Sequence, residues 1–184
     1  LVVAGESAGA NLVTALTLAA CFERPEPHAQ AVFATGVVPR VTLPACGILQ
    51  VTDIERIRKR KPQINTFVND RLHEVTLSYL GDPPHQGVDL ADPLLVLEGD
   101  EVPARPLPPF FAGVGTADAL LDDTRRLGAA LERRGVPVQT RYYPGEVHAF
   151  HALLFRPKAK QFWRDQFAFL DAQLPGAVRS GSDL

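Results

Sequence analysis

The first nine residues constrain this chain more than any other stretch. Leu1-Val2-Val3-Ala4 is apolar and passes directly into Gly5-Glu6-Ser7-Ala8-Gly9, a G-x-S-x-G sequence followed at once by an apolar helical segment. Strand, tight turn and helix in that order hold a serine out above a sheet at the tip of the turn. Gly5 and Gly9 flank the serine, which suits backbones too close together for a Cβ. The Ala8 N–H opens the helix and faces the position where an oxyanion would develop beside Ser7 Oγ. Chance alone places this pentapeptide in roughly 2% of chains with such glycine and serine contents, so the strand-turn-helix context carries the reading.

A chain of 184 residues with 46% hydrophobic composition has the length and core material of one domain. Its net charge of −2 argues against a nucleic-acid surface. The short basic run Arg56 to Lys61 reads as a solvated helix face. No apolar run reaches the length of a membrane span. Cys21 and Cys46 stand apart in apolar segments and match no metal spacing, so they read as buried thiols. Neither a metal nor an organic cofactor is implied. The chain has no methionine and opens inside an apolar strand, so the expectation is the C-terminal part of a longer protein. A cytoplasmic site is the default compartment.

Uniform apolarity makes Leu1–Ala4 a parallel strand covered on both faces. Residues 8–22 form its crossover helix, apolar nearly all round. Arg24-Pro25-Glu26-Pro27 breaks it, and His28 to Thr35 adds a short helix ending at Gly36. The next strand lies within Val41 to Val51, with Ala45–Val51 favoured. From Asp53 to Leu80 the spacing of Ile64, Val68, Leu72, Val75 and Tyr79 predicts helix. Residues 53–80 therefore form either a lid or pocket-wall insertion or an ordinary packed helix pair. Gly81 to Pro109 reads as a surface connection. Pro109–Gly115 is a third strand, Leu120 to Leu131 an amphipathic helix closed by Gly135, and Val136–Tyr143 a fourth strand. A last helix over 158–174 presents Trp163, Phe167, Leu170 and Leu174 on one face. Residues 175–184 are a frayed tail. The fold class is α/β, a parallel sheet with flanking helices over residues 1–174, in which functional groups gather at the C-terminal strand ends.

Three strand ends carry candidates. The first ends in Ser7, the third runs into Thr116-Ala117-Asp118, and the fourth into Pro144-Gly145-Glu146-Val147-His148. Serine, acid and histidine thus follow in the chain order of a hydrolase triad. In that reading His148 takes the Ser7 proton, and Asp118 fixes the imidazole tautomer. Each residue has a plainer alternative. Ser7 suits a helix cap; Asp122 suits the N-cap of the third-strand helix with Asp123 in its first turn. Asp118 is preferred because it directly follows the strand. His151 competes with His148, which the Pro-Gly turn favours. His28, His73 and His85 read as surface residues. Glu6 is expected to orient the turn by hydrogen bonds.

These pieces resemble the hormone-sensitive-lipase-like group of bacterial α/β-hydrolase carboxylesterases. Gly5-Glu6-Ser7-Ala8-Gly9-Ala10-Asn11-Leu12 is similar to that group's G-D-S-A-G-G-N-L, and Gly115 to Asp123 to its D-P-L-x-D-[DE]. Gly145-Glu146-Val147-His148-Ala149-Phe150 resembles G-x-x-H-x-F, and Ala91-Asp92-Pro93-Leu94-Leu95 resembles S-P-L-x-A. The resemblance implies Ser7, Asp118 and His148 as the triad and the Ala8 N–H as an oxyanion donor. It implies hydrolysis of short- or medium-chain acyl esters and a small-molecule partner; separately, an unpaired outer edge on the opening apolar strand leaves room for a homodimer. The group's H-G-G-G segment, its N-terminal strands and part of its cap have no counterpart in the chain. A peptidase of the acylaminoacyl or dipeptidyl kind, or a truncated fragment that does not catalyse, stays open as an alternative.

Overall fold

The computed structural model describes residues 1–60, 66–81 and 89–176. Four parallel strands lie in the order β1-β2-β3-β4: β1 is Val2–Glu6, β2 Val41–Ala45, β3 Phe110–Gly115 and β4 Val138–Tyr143. Sequential strands lie side by side, each joined to the next by helical crossovers. Helices α1 (Ala8–Cys21), α2 (Pro27–Ala34), α3 (Glu55–Arg60), α4 (Thr66–Leu80), α5 (Pro93–Glu98), α6 (Leu121–Arg133) and α7 (Pro157–Gln173) complete the order. One face of the sheet packs α1, α5 and α6 through Leu18, Phe22, Leu94, Phe110 and Leu127. The other packs α7 through Phe111, Phe150, Phe162 and Phe169.

Several expectations are corrected. The first strand is not covered on both faces: β1 is the edge of the described sheet, and Leu1, Val2 and Ala4 are exposed. Helix α1 is likewise one-sided, with Leu12 and Leu16 in solvent and Asn11, Thr14 and Thr17 buried. Thr14 and Thr17 donate their hydroxyls back to the carbonyls of Ala10 and Val13, which is how a helix buries threonine. On α7 the buried residues are Ala159, Phe162, Gln166 and Phe169; Trp163, Leu170 and Leu174 pack partly buried against the same core, and of the expected face only Phe167 is exposed.

The second strand is Val41–Ala45 and not Ala45–Val51, because Cys46 takes a positive φ of 47° and ends it. Residues 46–51 are nevertheless buried, so their backbone groups need partners outside a ladder. The N–H groups of Leu49 and Val51 donate to the carboxylates of Asp123 and Asp92. The carbonyls of Ile48, Leu49 and Gln50 accept from Asn11 Nδ2, Leu94 N and Arg56 Nη2. An apolar run that reads as a strand is therefore a buried loop pinned by side chains.

Arg56 is consequently not part of a solvated face. It is buried and pairs with Asp123 at 2.7 Å, although Arg58, Lys59 and Arg60 beside it are exposed. The connection 81–109 also contains more than turns. Asp92 accepts from Thr52 at the start of α5, which buries Leu94 and Leu97. Helices α3 and α4 pack Ile57, Leu72 and Leu80 onto Ile48, Val51 and Leu120. Ile64 and His85 lie outside the described residues, as does most of the tail.

Candidate active site

The elbow forms because two backbones nearly touch. A Cβ on Gly5 would overlap the carbonyl oxygen of Gly9, so Gly5 has to be glycine. The same reason does not extend to Gly9, where a Cβ would meet open space. Ser7 sits at the apex with φ 55° and ψ −115°, a conformation rare for any residue with a side chain. Its N–H donates to the Ala45 carbonyl at 3.0 Å, tying the apex to the end of β2. Ala8 is the first residue of α1, so its N–H has no acceptor within the helix.

Asn11 holds this turn in place. Its buried amide donates to Ile48 O and Ala91 O, both at 2.8 Å, and its oxygen accepts from Tyr79 at 3.4 Å. One side chain thus joins the serine helix to the loop after β2, to the segment before α5, and to α4. The asparagine belonged to the motif that carried the resemblance, but its role as a cross-link was not read from the sequence.

The loops after β3 and β4 are fused to each other. A Cβ on Gly115 would overlap the carbonyl oxygen of Glu146. That close approach lets Thr116 N donate to Tyr143 O at 3.0 Å, Ala117 N to Glu146 O at 2.9 Å, and Gly145 N to Thr116 Oγ1 at 2.8 Å. Asp118 and His148 ride on the two joined loops. His148 Nδ1 lies 2.9 Å from Asp118 Oδ2, and His148 Nε2 lies 3.0 Å from Ser7 Oγ. The Asp118 side chain is fully buried and its second oxygen accepts the Leu120 N–H at 2.9 Å. The structure therefore brings Ser7, Asp118 and His148 into one hydrogen-bonded line.

Burial works against a charge on His148, but the hydrogen bond and charge of Asp118, with a further contribution from Glu6, hold its pKa above the ordinary histidine value. Glu6 Oε1 is 3.3 Å from His148 Nε2 yet buried without a hydrogen-bond partner. The expectation that Glu6 orients the turn by hydrogen bonds does not describe this oxygen.

The rival residues are engaged with other partners. Asp122 is not an N-cap: Leu120 occupies that position, and Asp122 in the first turn of α6 pairs with Arg60. Asp123 is buried against Arg56 and the Leu49 N–H. His151 is buried and stacked on Phe162 at 4.7 Å, with burial the first cause of a lowered pKa. His28 is exposed, and half-buried His73 contacts Glu55 at 3.2 Å.

Cys46 Sγ lies within 4.8 Å of the facing Asp118 and His148 atoms. The set is poor as a metal site, since burial pushes the Cys46 thiol up to about 12 and Asp118 and His148 already bond each other. A cavity of about 170 Å³ opens behind Asp118, lined by Arg56, Arg60, Thr116 and Arg125 among others. Ser7 and His148 do not line it, so it is not where an acyl group meets the serine.

Solved structures with the same fold include an esterase/lipase from an uncultured bacterium, at 22% identity and TM-score 0.69, covering 94% of this chain and 53% of that one. Another is an esterase of the bacterial hormone-sensitive lipase family, at 23% identity and TM-score 0.69, with 94% and 52% covered. A third is the esterase EstE5, at 23% identity and TM-score 0.69, with 94% and 53% covered. The chain spans about half the length of these structures. No helix among the described residues is long and apolar enough to cross a membrane. A family model described as the alpha/beta hydrolase fold matches residues 1–152, and with it the elbow, both fused loops and all four strands: the chain belongs to the alpha/beta hydrolase fold family.

Proposed function

We propose that this protein hydrolyses carboxylic esters of short or medium acyl chains, with Ser7 as nucleophile, His148 as general base and acid, and Asp118 as the partner that orients His148. The observation that carries this reading is the continuous line from Ser7 Oγ to His148 Nε2 at 3.0 Å and from His148 Nδ1 to Asp118 at 2.9 Å.

The chemistry follows from that line. A serine hydroxyl is a weak nucleophile at neutral pH. As Ser7 Oγ bonds to the ester carbonyl carbon, its proton passes to His148 Nε2 and the carbonyl electrons move onto oxygen. Asp118 keeps the other ring proton on Nδ1, so Nε2 is free to accept, and its charge stabilises the imidazolium. The Ala8 N–H faces the developing oxyanion. Collapse of the tetrahedral intermediate expels the alcohol, which takes the proton from His148 and leaves Ser7 acylated. Water repeats the sequence to release the acid. Nucleophile and proton transfer both come from side chains, so no metal or organic cofactor enters.

The family and the esterases among its structural neighbours support this reading. The EstE5 crystal was soaked with p-nitrophenyl butyrate, and that ester is a fitting first substrate. A small-molecule partner, a cytoplasmic site and a homodimer belong to the same proposal. The test is a fluorophosphonate probe together with p-nitrophenyl butyrate hydrolysis. The probe should label Ser7 alone, and Ser7→Ala should lower kcat by roughly 10⁶. Labelling or turnover that survives Ser7→Ala would overturn the assignment.

A further inference from the structure

Glu6 stands in an unusual position for a carboxylate. Its Oε1 is buried without a hydrogen-bond partner, a state that costs free energy unless a donor arrives at some stage. A candidate is His148 Nε2, 3.3 Å away and on the side of the ring that faces Ser7. In the neutral ring with its proton on Nδ1, Nε2 carries a lone pair and can offer Glu6 nothing. Once Nε2 is protonated, the same geometry presents an N–H to the waiting oxygen.

We propose that Glu6 is a positioning residue that accepts the Nε2 proton of His148 as a hydrogen-bond partner whenever that ring is charged, and so sets the acid limit of the reaction. This rests on the reading of His148 as the base. The imidazolium is then held between two carboxylates, Asp118 at Nδ1 and Glu6 beside Nε2. When Ser7 Oγ–H gives its proton to Nε2, the positive charge appears within reach of an acceptor already in place. The cost is that a bound proton is harder to lose, so the neutral ring is reached only at higher pH.

Among the described residues the groups around His148 are few. Asp118 and Cys46 face it from the ends of β3 and β2, Glu6 and Ser7 from the elbow, and His151 from its own loop. Cys46 is a protonated thiol, and His151 is buried with its pKa lowered. Glu146 on the same loop is taken up by Arg156 at 3.2 Å. Glu6 is therefore the second anion after Asp118. It has burial as the first cause of its own raised pKa, with His148 opposing, so carboxylate and ring titrate as a coupled pair.

The experiment measures the His148 ring titration by NMR on ¹⁵N-histidine protein, alongside the pH dependence of kcat/KM for p-nitrophenyl butyrate. Glu6→Gln keeps the shape and removes the charge. It should move the His148 titration and the acid limb down together by about one pH unit. It should also lower the plateau rate, by up to about tenfold. Glu6→Asp restores a carboxylate on a shorter stem and should recover at least half of the shift. Merely structural damage would lower the rate at every pH and move neither titration nor limb. An unmoved His148 titration in Glu6→Gln overturns the inference whether or not esters are hydrolysed. Ester hydrolysis that survives Ser7→Ala would instead overturn the triad, so the two failures are distinguishable.

Discussion

Gly115 and the carbonyl of Glu146 meet with no room for a side chain between them. That contact joins the end of β3 to the loop after β4 and places Asp118 beside His148. Gly115→Ala should destabilise the fold by about 1–3 kcal/mol, the usual cost of overpacking, and reduce ester hydrolysis with it. Gly9→Ala should stay within about 0.5 kcal/mol of the original, since its Cβ points into open space. Thermal unfolding of both variants checks the ranking, and equal losses would mean that the loops do not depend on this contact.

The two candidate acids separate cleanly. Asp118→Asn keeps the shape of the carboxylate but permits the wrong imidazole tautomer, and should lower kcat by on the order of 10⁴. Asp122 is partly exposed and paired with Arg60, so Asp122→Asn should leave kcat within about twofold. Steady-state kinetics on both variants decides between them; the reverse order would move the acid to Asp122.

Arg56 and Asp123 form a buried pair 2.7 Å apart that also carries the Leu49 N–H and the Gln50 carbonyl. Removing one partner leaves a buried charge and an unsatisfied backbone group. Arg56→Met or Asp123→Leu alone should cost about 3–5 kcal/mol. The double variant should cost less than the sum of the two, because no lone charge remains. Denaturant unfolding of the four proteins in the cycle measures this, and strict additivity would refute the coupling.

His151 predicts a dependence of stability on acid. Its pKa in the fold lies below the ordinary histidine value of 6.5 because burial disfavours the charged ring. Between the two values the unfolded chain binds the proton and the folded one does not, so stability falls as pH drops below about 6.5. His148, whose pKa is raised, acts in the opposite sense: its contribution is present at low pH and fades as pH rises through the folded value. His151→Phe should flatten the loss of stability between pH 7 and pH 5. An unchanged slope would show that other groups govern it.

Strand-turn-helix order, the three strand ends and the residues that meet at them were legible because each is local: an apolar run, a G-x-S-x-G turn, a Pro-Gly turn before a histidine. Misreadings came where burial and regular structure part company. Residues 46–51 are as apolar as a strand, but Asp92, Asp123 and Asn11 meet their backbone, and those partners lie 37 to 74 residues away. Arg56 looks solvated within its basic run because nothing in its neighbourhood announces Asp123.

Ser7 and His148 lie 141 residues apart in the chain, and that separation has a consequence in time. During synthesis at about 5–20 residues per second, the serine is made on the order of ten seconds before its partner. Throughout that interval it is an ordinary alcohol with no base beside it. In the proposed mechanism Ser7 gains its base only with the last crossover, when β4 docks beside β3 and brings His148 to it.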